Sequence, residues 1–361
     1  MDLAHILYAL CGDGRGHSSR ARAIASVLRR RGHRVSFACD DPAASRLEDD
    51  GLPVRRVPGL RQVMRGNRVR LLDTARANFD LTWQSPEIIA SAADWLVEDG
   101  IDAVVSDHEP FVPRAARKVG VPFVALSHQH ILTSTRPRVP VRHWASALGT
   151  ALGIGVLSPP QPTTTVVPSF FFPPLRWGSR ATLVPPILRS DVLEAEPTTG
   201  DRLLVYVNEG DGMDALLAAL GDVGVPADAY GLRAETAPPN VTLRSSSRSG
   251  FLRDLAACRA VVSTSGFTLL SEALHLGKPV LTLPNRGFFE QALNAFALED
   301  ANRGEVVEHD LRASDLEGFL SRAEAYRRPV ALDGTAGREA AADAIEAALE
   351  VEPVPQLALA T

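Results

Sequence analysis

Short apolar runs alternate with helical patterns in two arrays, broken once by prolines, and this alternation most limits how the chain can fold. In the first array AHILYAL (4–10) reads as a strand, followed by an amphipathic helix over 18–31 that stops at Gly32. RVSFAC (34–39) is a second strand, closed by Asp40, Asp41 and Pro42. PEIIASAADWLVEDG is a helix ending at Gly100, DAVVSD a strand, PRAARKVG a helix stopping at Gly120, and PFVALSH a further strand. The alternation restarts with RLLVYVN, a helix over 211–221, the strands ADAYG and VTLR, and a helix over 250–257. AVVSTS, a helix over 266–276, PVLTLP and a helix over 287–301 complete it. Strands separated by helices build parallel sheets covered on both faces.

A chain of 361 residues is long for one core. The expected fold class is therefore α/β, with two Rossmann-like doubly wound domains facing across a cleft. The expected boundaries are 1–190 and 191–334, then an alanine-rich helix over 335–350 and an irregular tail over 351–361. Residues 134–200 read differently. They hold PPQPTTT, Phe170 to Phe172 and LVPPILRSDV, with a helical pattern only at about 140–155. Dense prolines between periodic halves signal a linker, and 134–175 is expected to be a variable, proline-rich segment.

Charge and cysteine usage exclude several classes. A formal net charge of −5 offers no general nucleic-acid surface. Cys11, Cys39 and Cys258 lack metal or disulfide spacing and read as small buried hydrophobes in a reducing compartment. The first apolar run has no basic flank, and SALGTALGIGVLSPP is broken by glycines and prolines. A cytoplasmic protein without a membrane span is expected. The stretch 55–70 carries Arg55, Arg56, Arg61, Arg65, Arg68 and Arg70 and no acidic residue. It reads either as a solvated loop or as a surface steering an anionic acceptor or a peripheral membrane contact.

Ligands of open α/β sheets gather beyond the carboxyl ends of the strands. Three stretches lie there. In GDGRGHSSR, Gly12 and Gly14 fit a dinucleotide fingerprint and Asp40 is suitably placed, but His17 stands at the third glycine. The loop is thus a damaged cofactor site, a helix start capped with help from Ser18 and Ser19, or a holder for a base. SDHEP and SHQH each follow a strand, so Asp107, His108, Glu109, His128 and His130 are expected near His17. A carboxylate beside an imidazole fixes its tautomer for proton abstraction. No metal-ligand spacing occurs among them, and no metal is expected. In CRAVVSTSGFTLLSEALHLGKPVLTLPNRGFFEQALNA, a strand runs through Gly266 into a helix whose first amides suit a diphosphate. Glu272 lies on that helix, while Glu290 and Gln291 open the next and can read hydroxyls.

On GDGRGHSSR, SDHEP, SHQH, VPPILR and STSGFTLLSEALHLGKPVLTLP…FEQALNA, the sequence resembles the GT-B glycosyltransferases over about residues 1–305. It is most similar to a bacterial group near the peptidoglycan N-acetylglucosaminyltransferases and the UDP-glycosyltransferases. The resemblance implies an inverting, metal-independent transfer of a sugar from a nucleotide donor, such as a UDP-sugar, to a small acceptor. The nucleotide sugar is a co-substrate, and no cofactor is implied. It implies His17 as general base, with Asp107 or Glu109 orienting it, and an acceptor site including Glu109, His128 and His130. It implies donor contacts from Gly14, Arg15, Gly16, Asn208, Phe251, Ser265, Gly266, Phe267, Thr268, Glu272, Glu290 and Gln291. It also implies that the helix at 335–350 returns to brace the first domain. The loop NEGDG departs from the Gly-Ser pair that relatives often carry near phosphate. Nucleotide-sugar hydrolases and 2-epimerases share the fold and the GxGH opening, and a non-catalytic nucleotide-sugar binder is the reading from another class. The phenylalanines of 134–175 favour an acceptor pocket over hydrolysis.

Overall fold

The computed structural model describes residues 3–61, 63, 70–158, 161–210, 213–232, 234–245, 247–285, 287–328 and 334–350. Its strands are β1 (His5–Leu10), β2 (Arg34–Cys39), β3 (Val54–Arg56), β4 (Ala103–Asp107), β5 (Phe123–Leu126), β6 (Thr164–Pro168) and β7 (Thr182–Val184). They continue with β8 (Leu203–Gly210), β9 (Ala227–Leu232), β10 (Val241–Arg244), β11 (Ala260–Ser263), β12 (Val280–Thr282) and β13 (Gly304–Val306). The helices are α1 (Gly16–Arg30), α2 (Ala43–Glu48), α3 (Leu71–Ala77), α4 (Phe79–Glu98), α5 (Val112–Val119), α6 (Ile131–Ser134) and α7 (Trp144–Leu157). They continue with α8 (Ser190–Leu193), α9 (Asp214–Val223), α10 (Arg248–Ala257), α11 (Phe267–His275), α12 (Phe289–Asp300), α13 (Ala313–Tyr326) and α14 (Gly334–Leu349).

The chain divides into two units, one of Met1–Gln62, Leu72–Arg189 and Thr335–Thr361, the other of Val63–Leu71 and Ser190–Gly334. In the first, a parallel sheet runs in the order β3-β2-β1-β4-β5-β6-β7. β1 is buried throughout because helices cover both faces of the sheet. Ile6, Tyr8 and Leu10 pack with Ile24 and Leu28 of α1 and Ile345 of α14. Leu7 and Ala9 point the other way, to Ala92 and Leu96 of α4 and Ala115 of α5. The period of two along β1 thus assigns each residue to one of two cores.

The returning helix α14 is held by charge as well as packing. Arg31, at the end of α1, pairs with Glu339, Asp343 and Glu346. His33 Nδ1 accepts from the Ala4 amide (3.2 Å), so its Nε2–H donates to Glu346 Oε1 (3.0 Å). In the second unit a parallel sheet runs in the order β10-β9-β8-β11-β12-β13 around a core that includes Val205, Val262 and Phe319. Both sheets reverse direction beside their first strand, as doubly wound sheets do.

The structure corrects four sequence expectations. Residues 134–200 are no linker: β6 and β7 extend the first sheet. Their prolines flank the strands, and Pro168 merely ends β6, so the breaker signal marks strand limits. α4 begins before Pro86, which lacks one helix donor but sits exposed within the helix. The second array does not end at 301: β13 and α13 follow, and Leu316, Phe319 and Ala323 of α13 fill the second core. Arg55 and Arg56 are no free basic loop, for they pair with Asp99 (2.7 Å) and with Asp41 and Glu48. Arg65, Arg68 and the tail at 351–361 lie outside the described residues. Cys39 and Cys258 are buried free thiols, which burial pushes up to about 12 and about 11.

Candidate active site

The carboxyl ends of β1 and β4 are neighbours, with Leu10 in register with Asp107. The chain leaves β1 through a glycine loop and enters α1, whose first turn carries His17. Gly12 is required by packing, since a Cβ there would lie 2.8 Å from the Asp40 carbonyl oxygen at the end of β2. Gly14 adopts φ +77, a left-handed conformation that suits glycine. Gly14 and Arg15 are exposed and Gly16 is half-buried. No side chain caps α1, and Ser18 Oγ donates to the Arg15 carbonyl (3.2 Å), so the helix-cap reading of His17 fails.

The His17 ring turns instead to Asp107. Its Nδ1 lies 2.9 Å from Asp107 Oδ1. Asp107 is 0% exposed and also accepts from Arg20 Nε (2.9 Å), Arg20 Nη2 (2.7 Å) and the Tyr8 hydroxyl (3.3 Å). Burial alone would raise its carboxyl, but Arg20 and His17 outweigh it and hold Asp107 well below the usual carboxylate range. An ionised Asp107 requires a proton on His17 Nδ1. Arg20 Nη2, 3.2 Å from that nitrogen, is then a second donor and not a hydrogen-bond partner. The lone pair falls on Nε2, and the His17 side chain is 19% exposed. This is the geometry of an oriented base. Asp107, not Glu109, is the partner of His17.

Arg20 escaped the sequence reading, although it stands three residues after His17 in GHSSR, one turn along the same helix face. His108 also lies close. It has φ +61 and its ring stacks on His17 at 6.4 Å and 15°. Burial, His17 and His130 push His108 down to about 3, and burial pushes His130 down to about 4. His128 donates from Nδ1 to the Pro168 carbonyl (2.8 Å) and meets Phe171 edge to face.

Glu109 has a structural task. Its two oxygens accept from the amides of Phe111 (2.9 Å) and Val112 (2.8 Å) at the start of α5. Burial pushes its carboxyl up to about 7 against those amides and Arg114. A carboxyl raised on folding stabilises below its unfolded pKa, and that stability is lost as pH rises through the folded value. The contribution of Glu109 to the melting temperature should therefore fall by a few degrees from about pH 4.5 to about pH 7, against the opposite slope that the depressed His108 and His130 give over the same range. Glu109→Gln should remove that contribution, so the melting temperature of wild type relative to the variant should fall across this range; a difference independent of pH in scanning calorimetry would remove Glu109 as its source.

In the second unit β11 ends at Ser263, Thr264 and Ser265 follow it, and Gly266 caps α11 without a side-chain bond. Ser265 is fully buried with φ +64, and its Oγ has no hydrogen-bond partner among the described residues. A strained residue with an orphan hydroxyl at a helix start marks a ligand position better than either feature alone. Asn294 Nδ2 of α12 donates to the Ser265 carbonyl (3.2 Å) and fixes the turn. Phe267 is buried and Thr268 half-buried in the first turn, and Glu272 is buried further along α11. Gln291 Oε1 accepts from the Asn285 amide (2.9 Å), which holds the loop before α12, while Glu290 is half-buried beside it. Phe251 of α10 sits edge to face between Tyr206 (5.5 Å) and Tyr230 (5.0 Å). Asn208 belongs to β8; its side chain, and Asp211 and Gly212 at the end of NEGDG, lie outside the described residues.

Among the described residues no group of three or more His, Cys, Asp or Glu could hold a metal ion. None of the described helices is long and apolar enough to cross a membrane. The sequence pattern of Glycosyl transferase family 1 matches residues 4–324. An uncharacterized glycosyltransferase of Methanosarcina mazei is 22% identical over 342 residues, covering 84% of this chain and 86% of that protein. Among solved structures, the calicheamicin glycosyltransferase CalG4 superposes with a TM-score of 0.65 at 20% identity, over 97% of this chain and 99% of that one. Glycosyltransferase VinC, solved in complex with dTDP, superposes with a TM-score of 0.57 at 19% identity, over 97% of this chain and 96% of that one. These likenesses identify the two sheets as a GT-B fold.

Proposed function

We propose that this chain, which belongs to glycosyl transferase family 1 and is a glycosyltransferase, moves a hexosyl group from a nucleoside diphosphate sugar to a small acceptor's hydroxyl. The observation that carries this reading is His17, oriented through Nδ1 by a buried, ionised Asp107 and free at Nε2. The acceptor oxygen attacks the anomeric carbon as its proton passes to Nε2. The bond from that carbon to the diphosphate oxygen breaks on the opposite face, so the configuration inverts. Negative charge builds on the departing diphosphate, and the first-turn amides of α11 with Ser265 Oγ are suited to receive it. That arrangement needs no Asp-x-Asp metal motif. The dTDP held by VinC supports a pyrimidine nucleotide, UDP or dTDP, with Phe251 near the base.

The direct test incubates the protein with UDP- and dTDP-hexoses, with and without a panel of hydroxylated acceptors, and measures free nucleoside diphosphate. Release that depends on acceptor, with a glycosylated product, is expected. Equal release without acceptor would replace transfer by hydrolysis. Glu272→Ala should weaken nucleotide affinity by roughly 1–3 kcal/mol, the value of a hydrogen bond to a charged group. Titration calorimetry on the folded variant checks this, and unchanged affinity for each nucleotide would remove Glu272 from the ribose site.

A further inference from the structure

The outward face of α7 is apolar where a surface helix is ordinarily polar. Trp144, Leu148, Leu152 and Val156 recur every fourth residue and are 61%, 63%, 62% and 75% exposed. Ile154 is buried on the opposite side, and no charged residue occurs from Trp144 to Leu157. Single exposed hydrophobics need no explanation, but a continuous row along one helix does.

A second apolar element adjoins the approach to this helix. Residues 134–136 pair with 174–176: the Arg136 amide donates to the Pro174 carbonyl (2.8 Å) and the Arg176 amide to the Ser134 carbonyl (2.9 Å). That loop presents Phe172 and Trp177, the latter 93% exposed. Exposed Arg136, Arg138, Arg142, Arg176 and Arg180 are interleaved with these side chains. From Pro110 to Ser190 the sequence contains no aspartate or glutamate, although the whole chain carries a net charge of −5.

We propose that α7 and the 172–180 loop dock on an anionic phospholipid surface, the helix lying in the interface with its row of Trp144, Leu148, Leu152 and Val156 inserted. The apolar row supplies insertion and the arginines supply attraction to lipid phosphates, the two signals that reversible membrane binding requires. Tryptophan at both elements suits the headgroup boundary. A helix of 14 residues is too short to span the bilayer and long enough to lie on it. The charge complementarity selects an anionic bilayer over a second copy of this chain, whose matching face would carry the same arginines. The inference is independent of the chemistry assigned to His17.

The test is co-sedimentation of the full chain with vesicles of phosphatidylcholine alone and of phosphatidylcholine mixed with phosphatidylglycerol. Binding is expected to the mixed vesicles, weaker to the neutral ones, and reduced by added salt. Leu148→Glu/Leu152→Glu, with folding verified by circular dichroism and melting temperature, should lower partitioning at least about tenfold. Arg136→Gln/Arg138→Gln/Arg142→Gln should remove the preference for anionic lipid, which keeps the proposal testable should the leucine variant not fold. Failure of the wild type to bind either vesicle would overturn the proposal, as would equal partitioning of the folded leucine variant. A concentration-dependent dimer that the leucine variant dissolves would overturn it too, giving the face to a second copy.

Discussion

His17→Ala should lower kcat for sugar transfer by roughly 10²–10⁴, the range for a lost general base, while leaving nucleotide affinity nearly intact. The split follows from where the residues lie. His17 belongs to the unit built on β1, whereas the α11 start that suits a diphosphate belongs to the other. Neither His108 nor His130 is suited to replace it. His108 and His130 are pushed down to about 3 and about 4, which makes them weak bases near neutral pH. His108→Ala should therefore act differently, changing rate through the orientation of the stacked His17 ring. Steady-state kinetics with calorimetric nucleotide binding checks both limbs. A His17→Ala enzyme with wild-type kcat would end the base assignment.

How far the sequence foretold this site depends on which physical signal each residue carries. Asp107 ends β4, a strand legible from its apolar run because both sheet faces are covered, so its location is plain, whereas Tyr8 inside β1 carries no signal of its contact with Asp107. Parallel pairing of β1 and β4 then brings Asp107 to the loop that precedes His17, and the spacing of GDGRGH within one turn completes the pair. Arg20 carried no such signal: on a helix rich in arginine it looks like one more solvated charge, and only its burial against Asp107 distinguishes it. Glu109 misled for the opposite reason. A carboxylate two residues beyond Asp107 is equally placed in sequence, but Pro110 and the start of α5 turn it onto backbone amides. The strands β6 and β7 were hidden because prolines report where a strand stops as readily as where none exists. The orphan hydroxyl of Ser265 depends on tertiary packing by Asn294 and could not be read from STSGF.

Asp107→Asn should be worse than a misaligned imidazole, because Arg20 shares the carboxylate. The substitution keeps the shape but leaves a buried guanidinium facing a neutral amide, whose NH2 group has nothing to accept from it. Breaking a buried pair by removing one partner costs about 3–5 kcal/mol, so both stability and transfer should fall. The deficit has a defined pH dependence. A carboxyl depressed on folding contributes stability that is fully present above its unfolded pKa of about 3.9 and is lost as pH falls through the folded value. The gap in melting temperature between wild type and Asp107→Asn should therefore be constant near neutral pH and close only in strong acid. Arg20→Leu leaves the opposite orphan, a buried carboxylate whose remaining side-chain hydrogen-bond partners among the described residues are His17 and Tyr8, and should be comparably destabilised. The double variant Arg20→Leu/Asp107→Leu removes both charges and should recover most of the lost stability without recovering kcat. That separation is the decisive measurement: a double-mutant cycle by denaturant unfolding isolates the Arg20–Asp107 coupling, and kinetics on the same proteins isolates the Asp107–His17 contribution. If the double variant were as unstable as either single one, Arg20 would be held by contacts other than Asp107. If it transferred sugar at the wild-type rate, Asp107 would have no part in orienting His17.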